Sequence, residues 1–272
     1  MQKIRAYFLL LLIALTFTFE QTACKVATAG ENQFNLFTVE DDKKLGAKVA
    51  AEIESSPDYK ILSEKDYPQA YQYLRGITNK ILNSGKVKHR NDFQWQVKII
   101  HDDKTLNAFC TPGGYIYVYT GIIKFLDNED QLAGVMGHEI AHADRRHSTR
   151  QMTRTYGIQT LLDVVLGKEK QGMMTQIAQG LIGLKYGREA EKEADDYSVI
   201  YLCATEYQSN GAAGFFQKLL SQGQGAGVPE FLSTHPSPTN RVADINQKAA
   251  AMKCSTKLSS KNYQTFKNML PK

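Results

Sequence analysis

The stretch GVMGHEIAHADRRH, from Gly134 to His147, constrains this chain more than any other. Residues four apart on an α-helix lie one turn apart on the same face, so His138 and His142 present two imidazoles to one point. Glu139 stands one step round the helix, within reach of a water at that point. Leu132, Val135, Met136 and Ile140 give the same segment an apolar face, and acids crowd its first turn behind Asp127 as the expected N-cap. His-Glu-x-x-His on a helix is the arrangement in which two histidines hold zinc and the glutamate acts as general base. Two ligands do not hold a catalytic zinc, so the rest of the fold has to supply a third.

His147 does not fit that role on spacing. A third histidine of the metzincin type needs a glycine three residues after the second histidine and the new ligand six after it. Arg145 and Ser148 occupy those positions. His147 lies five residues past His142, turned off the metal side, and reads as a solvated helix end where a cation suits the dipole. The alternative is a carboxylate, giving two histidines, one glutamate and an open position for water. REAEKEADD offers Glu189, Glu191 and Glu193. A helical glutamate with an acid four residues on puts ligand and support on one face; Glu191–Asp195 meets this, as does Glu189–Glu193. Spacing alone leaves the choice open.

The chain has 272 residues, 42% of them apolar, enough for one sizeable core. TVEDDKKLGAKVAAEIESS opens with Thr38 as N-cap and puts Leu45, Val49, Ala50 and Ile53 on one helical face. YPQAYQYLRGITNKILNSG predicts a second helix. FQWQVKII alternates at period two, and YIYVYT places Tyr115, Tyr117 and Tyr119 on one face and Ile116 and Val118 on the other, so both read as strands. Helices are expected over about 150–166 and 172–185, from Gly187 to Glu206, over GAAGFFQKLL, and from SPTNR onward with Ser237 as N-cap and Pro238 at N1. LLDVVLG is more apolar than a surface helix needs. Strands that lie together among dominant helices define an α+β class.

The N-terminus reads as a leader. Lys3 and Arg5 precede an uncharged run from Ala6 to Phe19. As a helix it spans roughly 21 Å, short of a hydrocarbon core of about 30 Å, which fits a secretory signal peptide over residues 1–23. QTACK resembles a bacterial lipobox, with Cys24 as the lipidated residue, although Gln21 stands where an aliphatic residue is usual. Residues 24–35 then form a lipidated tether and residues 36–272 the folded domain. Export brings an oxidising compartment. With Cys24 lipidated, three cysteines remain; Cys110 reads as a small buried hydrophobe, and we expect a Cys203–Cys254 bridge. The net charge of +5 is spread along the chain without a basic run, which gives no ground for a nucleic-acid partner.

GHEIAH together with GREAEKEADD resembles the HtpX and CAAX-prenyl-protease type of zinc metalloendopeptidase, peptidase family 48, a gluzincin family. NAFCTPGG…YVYTGII is similar to that family's Asn-Ala-Phe-x-x-Pro-Gly-Gly segment, and THPSPTNR to its Thr-His-Pro segment with a following arginine. These motifs cover roughly residues 105–245. The resemblance implies a mainly helical, zincin-like fold with a small sheet whose edge strand lies beside the active-site helix. It implies one zinc per chain, held by His138, His142 and Glu191, with Glu139 as general base. It makes Asp195 the carboxylate that orients a metal-bound histidine, and puts His235 in the active site, as an oxyanion donor or a closing fourth ligand. Arg241 is expected to buttress the His235 loop, and Gly113 and Gly114 to precede a strand whose edge pairs with substrate backbone. Glu193 then reads as an outward charge. The implied activity is cleavage of unfolded or misassembled cell-envelope proteins from the periplasmic side, through a lipid anchor in the outer membrane and beside the outer-membrane assembly machinery. The rival readings are a chaperone-like scaffold lipoprotein with little proteolysis, and an amidase acting on cell-wall peptides.

Overall fold

The computed structural model describes residues 34–170, 172–221, 230–236, 240–259 and 262–272. The leader, Cys24, most of the tether, Ser237 and Pro238 lie outside the described residues. Capping decides where the first helix starts. Thr38 accepts a hydrogen bond from the Asp41 amide at 3.1 Å, and the Asp41 carboxylate accepts one from the Thr38 amide at 2.8 Å, a reciprocal capping box. It opens α1 (Val39–Ser55), and α2 (Pro68–Leu82) follows with proline in its first turn. Strands β1 (Gln96–Ile100), β2 (Ala108–Thr111) and β3 (Tyr115–Tyr119) form one sheet. Its order is β1-β3-β2, with β1 parallel and β2 antiparallel to β3.

Both faces of the sheet are covered. Ile116 and Val118 of β3, with Val97, Ile99, Ala108 and Cys110, enter the larger core cluster, while Tyr115, Tyr117, Tyr119 and Phe109 enter a second one beneath α1. The alternation read from YIYVYT therefore separates two apolar layers and not an inside from an outside. Gly113 and Gly114 take φ +77° and +86° in the β2–β3 turn, a region that costs glycine little. The strand they precede, β3, is central and paired on both sides, so the edge expected there belongs to β2.

The helices after the sheet are α3 (Thr120–Phe125), α4 (Glu129–Asp144), α5 (His147–Thr155), α6 (Ile158–Val165), α7 (Met173–Ile182), α8 (Arg188–Leu202), α9 (Gly211–Ser221), α10 (Glu230–Thr234), α11 (Arg241–Ala251) and α12 (Tyr263–Lys267). Every residue of α4 is buried; it lies against β2 on one side and α8 and α9 on others. Its N-cap is Asn128, whose side chain accepts from the Gln131 amide at 2.9 Å, and not Asp127. A Cβ built on Gly134 would lie 2.1 Å from the Ala212 nitrogen, so α4 and α9 meet only because a glycine stands there. The expected helix over 150–166 is two helices, broken at Tyr156 and Gly157, and the short α3, α10 and α12 had no sequence signal. Cys203 and Cys254 are joined by a disulfide across 51 residues, tying the end of α8 to the end of α11, and Cys110 is free and buried.

Candidate metal centre

Helix α4 carries His138 and His142 one turn apart, and α8 crosses it to bring Glu191 opposite them. The His138 and His142 Nε2 atoms lie 3.0 Å apart. The Glu191 carboxylate faces both, with one oxygen 3.5 Å from each Nε2. His235, one residue past α10, completes the group: its Nδ1 is 3.0 Å from Glu191 and 3.3 Å from His138 Nε2. One donor atom from each of these four buried residues falls within 4.8 Å of the others.

The far sides of the imidazoles are engaged. His138 Nδ1 meets the Asp195 carboxylate at 2.9 Å. Arg241 donates to both oxygens of Asp195 at 2.6 and 2.7 Å and reaches Glu191 at 3.0 Å, with its guanidinium over the Phe216 ring. It therefore grips the carboxylates of α8, where the sequence suggested a prop for the His235 loop. His142 Nδ1 meets His147 Nδ1 at 2.8 Å, and His147 Nε2 meets Glu193 at 3.1 Å. A proton on His142 Nδ1 fixes His147 as an acceptor at Nδ1 and a donor at Nε2. With both Nδ1 atoms so occupied, both Nε2 lone pairs point into the same small space beside a carboxylate. That donor set fits a zinc ion.

This overturns the solvated reading of His147. It is 3% exposed. Helix α4 ends at Asp144, Arg146 takes a left-handed conformation at φ +59°, and α5 starts at His147. The Arg146 guanidinium holds that turn by pairing with Asp42 and donating to the Phe37 carbonyl at 2.6 Å. Glu193 is likewise no outward charge: Arg145 donates to it at 2.7 Å and Arg150 lies near it. Glu189, the remaining glutamate of that stretch, is exposed. Two ring contacts had no clear sequence signal. Tyr186 stacks on His142 at 4.0 Å, and Phe231 stacks on His235 at 4.4 Å. Phe231 precedes His235 by one helical turn, the only hint available.

The charges follow from this burial. Burial raises the Glu139 carboxyl above its ordinary value, against the opposing pull of His235 and His138. Burial pushes the same way on Glu191, but His235, His142 and His138 outweigh it and hold that carboxyl well below the usual range. Burial drives His142 well below the usual imidazole range, toward its neutral, metal-binding form. Glu193 is lowered to about 2, its burial outweighed by His147 and Arg145. The Glu139 Oε1 atom is buried with no hydrogen-bond partner among the described residues.

Comparison with known proteins agrees with this geometry. Residues 68–249 match the sequence profile of Peptidase family M48. Over 227 residues the chain is 26% identical to Mitochondrial metalloendopeptidase OMA1 of Schizosaccharomyces pombe, covering 82% of this chain and 65% of that protein. It is 30% identical over 212 residues to the Beta-barrel assembly-enhancing protease of Yersinia pestis, covering 72% of this chain and 42% of the relative. It is 26% identical over 234 residues to Metalloprotease YcaL of Escherichia coli, covering 83% of this chain and 87% of the relative.

Proposed function

The chain belongs to peptidase family M48, and on that premise we propose that it is a zinc-dependent endopeptidase acting on unfolded or misassembled proteins of the bacterial cell envelope. The observation that carries this reading is the convergence of the His138 and His142 Nε2 atoms with the Glu191 carboxylate, while Asp195 and His147 occupy the opposite ring nitrogens. His138, His142 and Glu191 are the ligands. When bound, zinc supplies Lewis acidity toward a peptide carbonyl and a water.

Glu139 takes the proton of the attacking water and delivers it to the leaving amine; its burial, with one oxygen that no hydrogen bond engages among the described residues and His235 Nε2 3.5 Å from it, suits it to that exchange. Asp195, itself held by Arg241, keeps His138 in the tautomer that offers Nε2. An extended substrate segment pairs through its main chain with the edge of β2, which favours unfolded chains over particular sequences. His235, backed by Phe231 and 2% exposed, closes the site at rest.

For the chain as a whole we propose a leader over 1–23, a tether over 24–35 lipidated at Cys24, and the peptidase domain over 36–272, facing the periplasm from the outer membrane. The name of the Yersinia relative, a Beta-barrel assembly-enhancing protease, supports a place beside outer-membrane assembly. Complete burial of the site also favours one second reading, a scaffold that seldom cuts.

The test is zinc per chain by elemental analysis with casein cleavage on the same samples. Glu191→Ala is expected to lose both. Glu139→Gln is expected to keep zinc and lose cleavage by about 10²–10⁴-fold. His235→Ala is expected to keep zinc and cut faster. A Glu139→Gln protein that cleaves at the wild-type rate would sink the mechanism; one that cuts nothing yet fully restores a cell lacking the gene would favour the scaffold.

A further inference from the structure

Helix α6 carries one broad apolar arc of which only one side is buried. Leu161 and Val164 are buried with the core residues of α1, whereas Ile158, Leu162 and Leu166, spaced four apart, are 72%, 37% and 60% exposed. These are three of the seven large hydrophobic side chains exposed among the described residues, and they form one ridge. A helix that buries its whole apolar stripe leaves only polar side chains to water; α6 keeps a polar stripe in Gln159, Thr160 and Asp163 but also leaves this ridge uncovered. Three side chains fall far short of the roughly 800 Å² per partner that a stable dimer buries.

The approach of the chain to the domain says what covers the ridge. The first described residue, Phe34, is 76% exposed. The Asn35 side chain donates to Thr149 at 3.0 Å and the Leu36 amide to Thr153 at 3.2 Å, so the chain enters along α5. Helix α5 ends at Thr155 and α6 starts at Ile158. Nine residues separate Cys24 from Phe34, a reach of at most about 36 Å when extended. An anchor at Cys24 thus keeps this corner close to a bilayer. The C-terminal end of the ridge is basic: Lys168 and Lys170 are exposed just past Leu166 and Glu169 between them pairs with Lys48, while Asp163 of α6, which accepts from Gln159 at 2.8 Å, keeps its negative charge. An apolar ridge with a basic end is the composition of an interfacial helix. No helix among the described residues is long and apolar enough to cross a membrane.

We propose that Ile158, Leu162 and Leu166 dip into the boundary between headgroups and acyl chains, docking the domain on an anionic bilayer with α6 lying in the membrane plane. The inference rests on the lipid anchor read from the sequence and is independent of the peptidase chemistry.

Trp95 is the only tryptophan of the chain and serves as an internal reference. The full chain, purified from the membranes of cells that express it, is reconstituted in phosphatidylethanolamine–phosphatidylglycerol vesicles with or without dibrominated acyl chains. Bromine is expected to quench the added emission of Leu162→Trp, and of Leu166→Trp as a second probe, because side chains at the acyl boundary meet the brominated chains, and to leave Leu258→Trp at the wild-type level. No added quenching at either ridge position overturns the proposal. So does equal quenching at Leu258, or a ridge emission that shifts with protein concentration before lipid is added, which would mean a second copy covers it. Zinc content and casein cleavage of the same variants report on the peptidase reading separately.

Discussion

His147 is where local pattern and tertiary structure part company. DRRH offers no glycine or proline to stop the helix earlier, so it reads as running on to His147 and leaving that side chain at a solvated end. The stop is made by Arg146 in a left-handed conformation, held from α1 by Asp42 and the Phe37 carbonyl, partners more than a hundred residues away. His138, Glu139 and His142 were legible because a single helix brings them together; Glu191 was legible only through the family motif. Since His147 fixes the His142 ring, His147→Ala is expected to weaken zinc binding by about 10–100-fold in chelator competition, while His147→Gln, which keeps an acceptor, recovers part of it. An unchanged affinity in the alanine variant would return His147 to the bystander role. Glu193 gives a second test. Its folded value near 2 lies below its ordinary 4.5, so its ionised form stabilises the fold above about pH 4.5, and that contribution drains away as pH falls toward 2. Acid titration of metal-free Glu193→Gln should show a shallower loss of stability across that window than metal-free wild type.

At the scale of elements, most helices and two of the three strands, β1 and β3, were readable from periodicity, whereas the four-residue β2 is too short to show an alternation. The strand order was not readable either. β1 pairs with β3 in parallel register, and a parallel pairing joins segments that are not neighbours along the chain. That pairing moves the open edge from the Gly113–Gly114 side to β2. Helix α4, which carries His138 and His142, is equally dependent on its neighbours. A Cβ on Gly211 would sit 2.0 Å from the Asp130 carbonyl oxygen, and one on Gly134 would strike α9. Gly134→Ala is therefore expected to push α9 off α4 and cost about 1–3 kcal/mol in denaturant unfolding, with zinc affinity falling alongside. Gly76→Ala, where nothing stands within 4 Å, should be neutral or slightly stabilising.

Across the whole molecule, the Cys203–Cys254 bridge closes a 51-residue span that contains α9, α10, His235 and all of α11. Replacing both cysteines with serine is expected to lower unfolding stability by about 2–4 kcal/mol; a chain equally stable with and without the bridge would show that packing alone holds this half together. The order of residues along the chain has a further consequence. His138 and His142 are synthesised first, Glu191 next, then His235, and Arg241 last of all. Arg241 is the group that clamps both Glu191 and Asp195, so the ligand carboxylate has no firm seat until the residue that caps it has already been made. A ribosome building this chain from its N-terminus never releases an open blade: the sheath is finished before the edge is set.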